Sequence, residues 1–229
     1  MIDVEKLEFG LDTFGDMQQD DAGQPISAGQ TIRNVVEQAV FADQLGLDHF
    51  SIGEHHRDDF AVSAPDTVLA GIATKTSRIK LGTGVTVLSS EDPVRVYQRF
   101  ATIDALSNGR AEITAGRGSF IESFPLFGYE LKDYSVLFEE KLELLVEILK
   151  ENAVTWSGST RAPLTNQEIY TQDRRWIDSI TGRRWWNTRV SSSCRSAKCE
   201  ASDCNHRRRP SSVRAILRFI SHCDEGVWS

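Results

Sequence analysis

The stretch IKLGTGVTVLSSEDPVRVYQRFATIDALSNGRAEITAGRGS, residues 79–119, decides the fold class. It begins with an apolar run rich in valine and threonine, residues 79–88, which predicts a β-strand. Pro93 then opens a run whose apolar residues recur at helical spacing. Residues 111–115 predict the next strand. The stretch is therefore a strand–helix–strand unit of the kind that builds parallel sheets.

The same alternation continues on both sides of this unit. Four strands and four helices then follow one another, which predicts an α/β protein with a parallel sheet and right-handed crossovers. Periodicity alone leaves open whether these units form half of an eight-unit barrel or a small doubly wound sheet. In either case functional side chains belong at the carboxyl ends of the strands. The further predicted elements are strands at 7–14 and 48–53 and helices at 31–45, 65–74, 93–107 and 136–151.

The net charge of −7 is unevenly distributed along the 229 residues. Residues 1–170 contain 14 Lys+Arg and 27 Asp+Glu, whereas residues 171–229 contain 12 and 6. The acidic part argues against nucleic acid as a partner, because phosphate neutralisation needs a basic surface. No apolar run approaches the roughly 20 residues needed to cross a bilayer. Residues 1–5 also lack the order of a signal peptide, so we expect a cytoplasmic protein without membrane contact.

Three of the predicted strands end in polar residues and glycines. Such an edge fits a ligand site, because glycine lets a bound molecule approach the backbone closely. Arg117, which glycines flank, is well placed to bind a phosphate with its two-pronged guanidinium group. The three segments are Glu54-His55-His56, Gly82-Thr83-Gly84-Val85 and Gly116-Arg117-Gly118.

Each of these segments also has a purely structural interpretation. His55 is as readily a hydrogen-bonded structural residue as a catalyst, the glycines of the third strand can mark a bulge, and Arg117 can be an ordinary surface residue. A metal site is disfavoured. In an extended chain only Glu54 and His56 point to the same face, which leaves too few ligands for zinc.

Taken in order, these motifs resemble the bacterial luciferase-like flavin-dependent monooxygenase and oxidoreductase family over most of residues 5–165. The resemblance implies the N-terminal half of a (β/α)8 TIM barrel that binds reduced flavin at the carboxyl ends of its strands. The segments that carry it are Glu54-His55-His56, Gly82-Thr83-Gly84-Val85, Pro93-Val94-Arg95, Leu106-Ser107-Asn108-Gly109-Arg110 and Gly116-Arg117-Gly118.

The resemblance also implies roles for particular residues. His55 corresponds to the active-site histidine beside the flavin ring, with Glu54 next to it in the cofactor site. Gly84 and Val85 correspond to a cis peptide bond behind the ring, and Arg117 to the arginine that contacts the flavin phosphate.

The implied reaction uses reduced FMN and oxygen on a small organic substrate, with acid–base help from His55. Some members use a deazaflavin instead, and the sequence leaves both cofactors open. A flavin reductase and assembly into a homo-oligomer are implied as well.

The composition changes abruptly near Tyr170. All four cysteines, four of the five tryptophans and 11 of the 19 arginines lie beyond it, and the periodicity ends. We therefore divide the chain into a barrel half, residues 1–170, and an irregular basic tail, residues 171–229. A zinc module in the tail is disfavoured, because Cys194, Cys199 and Cys204 are spaced more widely than the usual ligand pairs.

We hypothesise that the tail is translated out of frame from a shift between residues 170 and 180. Tryptophan has a single codon, so Trp185-Trp186 read one nucleotide later gives Gly-Gly. The codons of residues 187–190 then permit Thr-Pro-Glu-Ser, a segment that the family has after its fifth strand. Residues 203–210 permit Ile-Val-Ile-Ile-Gly-Gly-Asp-Pro, which resembles the family's sixth-strand region.

Such a shift would impair the enzyme, because half of the barrel would be lost. A second hypothesis is therefore a non-catalytic flavin-binding or inert half-barrel. A third, less favoured, is a metal-dependent hydrolase on a similar barrel. The substrate is beyond the sequence, because in this fold the loops determine it.

Overall fold

A computed structural model describes residues 7–150 and 153–171 of the chain. Strands and helices alternate along most of this length, as the sequence predicts. The strands and helices are, in order, β1 (Gly10–Thr13), α1 (Ala28–Leu45), β2 (His49–Ile52), α2 (Pro65–Ala73), β3 (Lys80–Thr83), β4 (Thr86–Val87), α3 (Pro93–Ser107), β5 (Ala111–Glu112), β6 (Ala115–Gly116), α4 (Ser123–Leu126), α5 (Tyr134–Lys150), β7 (Ala153–Trp156) and β8 (Leu164–Glu168).

The strands β1, β2, β3 and β5 form a parallel sheet in that order. Thr13 pairs with Ile52, and Ile52 pairs with Thr83, so the carboxyl ends of the first three strands lie side by side. A second parallel pair consists of β4 and β6, with Val87 beside Gly116. The predicted parallel order is confirmed, and the carboxyl ends of the strands define one edge where a site can form.

Two predicted strands are interrupted. The run 79–88 forms β3 and β4, and the run 111–115 forms β5 and, extended to Gly116, β6. The first interruption falls at Gly84-Val85, whose peptide bond is cis, as the family resemblance implies. A period-2 pattern does not reveal such a break, because the apolar residues on either side keep their alternation.

Local sequence signals explain where the longer helices begin and end. The Ser27 side chain accepts a hydrogen bond from the Gln30 amide at the start of α1. Gly46 ends that helix with a φ of 83°, a left-handed conformation that favours glycine. Asp92 caps α3 by accepting from the amide of Val94.

Asp43, near the end of α1, anchors the chain that leads into β3. Its carboxylate accepts hydrogen bonds from the amides of Ser77, Arg78 and Ile79, at 3.1, 2.9 and 2.7 Å. Burial alone would raise the pKa of this carboxyl, but the three donors outweigh it and hold the pKa below its usual value.

Arg110 secures the same connection from the other side. Its buried guanidinium group donates to the carbonyl oxygens of Ala73, Thr76, Ile79 and Ser107 at 2.6 to 3.0 Å. It therefore ties the end of α2, the start of β3 and the end of α3 together, and its role in this motif is structural.

The structure adds an antiparallel hairpin, β7 and β8, and the short helix α4, none of which the sequence patterns predict. The predicted strand 7–14 is shorter, Gly10–Thr13, and Phe9 before it is exposed. Apart from Thr171, the predicted irregular tail lies outside the described residues. Within the described ranges, no helix is both long and apolar enough to cross a bilayer.

Candidate active site

The segments that follow β2 and β6 meet the end of β4 at the carboxyl edge of the strands. The amide of Val87, the last residue of β4, donates to Glu54 Oε2 at 3.3 Å, which joins β4 to the segment after β2. The ring centre of His55 lies 5.0 Å from that of Phe120, which joins the segments after β2 and β6. Of the predicted site residues, Glu54, His55 and the Gly84-Val85 peptide thus share one edge, and Arg117 begins the loop that brings Phe120 there.

His55 is buried in a cluster of three phenylalanines. Phe60 stacks on its ring at 4.2 Å, and Phe14 and Phe120 present their edges at 4.9 and 5.0 Å. Only 8% of His55 is exposed, and neither ring nitrogen has a hydrogen-bond partner in the described part of the chain. Buried polar atoms are normally paired, and a neutral imidazole offers one donor and one acceptor at these two positions.

The surroundings of His55 determine its charge. Burial lowers the pKa of the imidazole, and the carboxylates of Asp16 and Asp59 counteract part of that effect. With a pKa below its usual value, the ring is neutral at pH 7. A neutral imidazole carries one proton and one free lone pair, so it can either give or accept a proton.

Glu54 and His56 form a second, buried pair behind His55. His56 Nε2 lies 3.0 Å from Glu54 Oε1, and only 6% of the Glu54 side chain is exposed. Burial raises the pKa of the Glu54 carboxyl, and the hydrogen bonds from His56 and Val87 oppose the rise. Glu54 therefore connects the end of β2 to the end of β4.

The backbone is closely packed where β4 and β6 run side by side. A Cβ atom placed on Gly116 would lie 2.5 Å from Val85 Cγ2, so only glycine fits at this position. Val85 itself belongs to the cis peptide. The glycine of the Gly116-Arg117 motif thus permits the close approach of the two strands.

Arg117 lies against α5. Its guanidinium group is 5.6 Å above the ring of Tyr134 and 5.1 Å above that of Phe138, and Nη2 is 3.5 Å from Glu139 Oε1. The side chain is 16% exposed. Two aromatic rings and one acid therefore hold a partly accessible cation, which is the chemistry that a phosphate requires.

A small cavity of about 50 Å³ lies behind Glu54, with Thr83 in its wall. Arg99 also lines it and pairs with Glu91 at 2.6 Å and with Asp66 at 2.9 Å. The cavity has room for a few water molecules. A ligand as large as a flavin has to bind outside it, at the open edge.

The sequence patterns missed the aromatic cluster and Arg57, whose guanidinium group lies 5.0 Å above the ring of Phe120. Phe60 and Phe120 lie close to the quoted motifs in the chain, but nothing in their spacing places both on His55. Within the described ranges, no group of three His, Cys, Asp or Glu residues could hold a metal ion.

The sequence of this chain matches a known protein family. The family model described as luciferase-like monooxygenase matches residues 10–177. Three relatives illustrate the match: N-acetyl-S-alkylcysteine monooxygenase of Bacillus subtilis is 31% identical over 57% of this chain and 40% of its own length. F420-dependent glucose-6-phosphate dehydrogenase of Amycolatopsis mediterranei is 30% identical over 55% and 40%. The oxygenase component of the flavin-dependent trigonelline monooxygenase of Acinetobacter baylyi is 33% identical over 40% and 26%.

Solved structures agree on the fold. Monooxygenase RslO1 of Streptomyces bottropensis superimposes with a TM-score of 0.62 at 26% identity, over 70% of this chain and 49% of its own. The oxygenating constituent of 3,6-diketocamphane monooxygenase of Pseudomonas putida, in complex with FMN, gives 0.61 at 23% identity, over 69% and 44%. The chain thus spans about half the length of these structures and less of the curated relatives.

Proposed function

Because this chain belongs to the luciferase-like monooxygenase family, we propose that it provides the His55 site of a flavin-dependent oxidoreductase. The reaction uses reduced FMN and oxygen on a small organic substrate. The observation that carries the proposal is the buried, neutral His55 with two unpartnered ring nitrogens at the carboxyl edge of a parallel sheet.

The residues present fit a flavin. Arg117, held between two aromatic rings, supplies a cation for the phosphate group. The close packing of Gly116 on Val85 leaves no room for a side chain at position 116. His55 and its phenylalanines provide an apolar surface with a single polar ring.

The chain's own residues then perform three tasks. Arg117 binds and orients the cofactor through its phosphate. His55 holds or moves a proton at Nδ1 or Nε2, for which a neutral ring is suited. Phe14, Phe60 and Phe120 exclude water from that ring. The reduced flavin, when bound, would carry out the chemical step that involves oxygen.

Two features of the relatives support the choice of cofactor and partner. FMN is bound in the Pseudomonas putida structure, whereas the Amycolatopsis relative is named for F420, so a deazaflavin is the alternative cofactor. The Acinetobacter relative is named as an oxygenase component, which supports a separate flavin reductase as the source of reduced cofactor.

The extent of the chain limits how complete the site is. We propose that residues 1–170 form half of the barrel and that residues 171–229 are an out-of-frame tail, so that the enzyme is impaired. The alternative is a half-barrel that binds flavin without turnover.

Titration of the chain with FMN and with riboflavin, followed by flavin fluorescence, tests this proposal. The substitution Arg117→Met should weaken FMN binding by about tenfold or more, because one charge-assisted contact to the phosphate contributes about 1.5–3 kcal/mol. Riboflavin lacks the phosphate, so its weaker binding should not change. Arg33→Met, at an exposed position on α1, is the matched control. Equal FMN affinity in the Arg117 variant and the control would refute the phosphate assignment.

A further inference from the structure

Arg57, in the connection between β2 and α2, contacts two separate segments of the site. Its Nε and Nη2 atoms donate to both oxygens of Asp59, at 2.9 and 3.1 Å. Its Nη1 atom lies 3.4 Å from Glu122 Oε1, and its guanidinium group lies 5.0 Å above the ring of Phe120. Asp59 fixes the guanidinium plane, and Arg57 in turn contacts the loop after β6.

That loop carries Phe120, the third phenylalanine of the His55 cluster. Phe60 comes from the same connection as His55, and Phe14 directly follows β1, whereas Phe120 reaches His55 from the far side of the site. Phe120 remains 38% exposed, so apolar burial alone holds it only in part. The position of Phe120 therefore also depends on contacts with the face of its ring that the apolar cluster leaves uncovered. Arg57 lies over the Phe120 ring.

We propose that Arg57 is a positioning residue that straps the segment 118–122 over His55. It does so by stacking on Phe120 and pairing with Glu122, and it thereby keeps water from the ring nitrogens. The geometry stands without a cofactor. Only its purpose, a dry place for proton transfer, rests on the proposed function.

The contacts of Arg57 with Phe120 and Glu122 are weak enough to break. The Arg57 side chain is 38% exposed and Glu122 is 35% exposed, and ion pairs of such groups contribute little in water. A stack of a cation on an exposed ring is similarly modest. The segment is therefore held closed without being locked, which allows a ligand to enter from this side.

Loss of a nearby negative charge and hydration of the ring change the pKa of His55 in opposite directions. Burial and the electrostatic effects of His56 and Arg57 lower the pKa of His55, whereas Asp16 and Asp59 raise it. Removal of Arg57 would change both a charge and the burial, so it does not separate them. Glu122→Gln does, because removal of a nearby negative charge can only lower the pKa or leave it unchanged, whereas release of Phe120 hydrates the ring and raises the pKa.

The pKa of His55 is measured by NMR in the flavin-free chain, with the signal assigned by its loss in His55→Gln. We expect Glu122→Gln to raise the pKa by about half a unit toward the ordinary value near 6.5. The rate at which diethylpyrocarbonate modifies His55 should rise several-fold. Glu130→Gln, which removes an acid that pairs with exposed Lys132, is the control and should change neither quantity.

A second variant shows whether the strap acts through Phe120. Phe120→Ala should raise the pKa of His55 by itself, and adding Glu122→Gln to it should produce no further rise. An unchanged or lower pKa in Glu122→Gln, or fully additive rises in the double variant, would overturn the proposal. Because no flavin is present in these measurements, such a failure leaves the FMN test unaffected.

Discussion

The burial of His55 links its chemistry to the stability of the site. Because its pKa is lowered in the folded chain, the unfolded chain takes up a proton first as the pH falls. The contribution of His55 therefore destabilises the folded chain as the pH falls below the unfolded pKa near 6.5, and it is absent well above that pH. The same burial that keeps the ring neutral for proton transfer thus adds one acid-sensitive contribution to the stability of the fold.

At the residue scale, Gly116 offers a direct test of the close packing behind the site. Gly116→Ala places a Cβ 2.5 Å from Val85 Cγ2, so Val85 or the strand pairing has to shift. We expect a loss of about 1–3 kcal/mol in the free energy of unfolding, as for other overpacked sites. Urea unfolding measures it.

The matched control is Gly71→Ala, in the last turn of α2, where an added Cβ has no atom within 4 Å. Alanine favours the helix over glycine by about 1 kcal/mol, so this variant should gain stability. A stable Gly116→Ala protein would show that the two strands are less tightly packed than the structure describes.

At the scale of elements, the hairpin β7–β8 packs on α5 through Val154 and Trp156, and the carboxylate of Glu140 on α5 adds a polar anchor. Glu140 accepts hydrogen bonds from the amides of Ser159 and Thr160 and from the Ser159 hydroxyl, at 2.8 to 3.0 Å. Burial raises the pKa of this carboxyl, but the hydrogen bonds outweigh it and lower the pKa to about 2. The polar part of the attachment is therefore strongest while Glu140 is ionised.

The expected result follows from the sign of that shift. A depressed folded pKa means that the stabilisation is fully present above about pH 4.5 and is lost as the pH falls toward 2. In Glu140→Gln, the amides of Ser159 and Thr160 should lose protection from hydrogen exchange even at pH 6. Glu147→Gln, which removes a partly exposed acid of α5 that pairs with Lys150, should leave both amides protected. Equal protection in the two variants would show that the strand pairing alone holds the hairpin.

At the scale of the whole molecule, the sheet of the described residues has two edges. β1 lies at one edge and β5 at the other, and Leu11 of β1 and Phe14 after it are 47% and 44% exposed. A closed barrel has no free edges, and unpaired strand edges with apolar side chains favour association. We therefore expect the chain as written to self-associate in analytical ultracentrifugation.

A version with the reading frame restored after residue 170 should behave differently. The remaining strands would pair with both edges and contribute further cofactor contacts, so we expect a discrete assembly that binds FMN and turns over with oxygen. The 229-residue chain should bind FMN more weakly than micromolar. Micromolar binding with turnover by that chain would show that residues 171–229 are a working part of the protein, and the frameshift hypothesis would fall.

The amino-acid sequence by itself determined the order of strands and helices, because apolar periodicity and caps such as Ser27 and Asp92 act over a few residues. It also determined which motifs lie at the carboxyl edge, because parallel strands align their ends. His55, Glu54 and Arg117 could be placed there on this basis and on the family resemblance.

Only the tertiary structure decided what surrounds those residues. The contact of Phe120 with His55, the strap from Arg57 to Glu122 and the anchoring of the hairpin by Glu140 join segments that are distant in the chain. Such contacts depend on how loops cross in space, and no periodicity in the sequence encodes that crossing. The charge of His55 follows from burial by these neighbours, so it too becomes definite only in the folded chain.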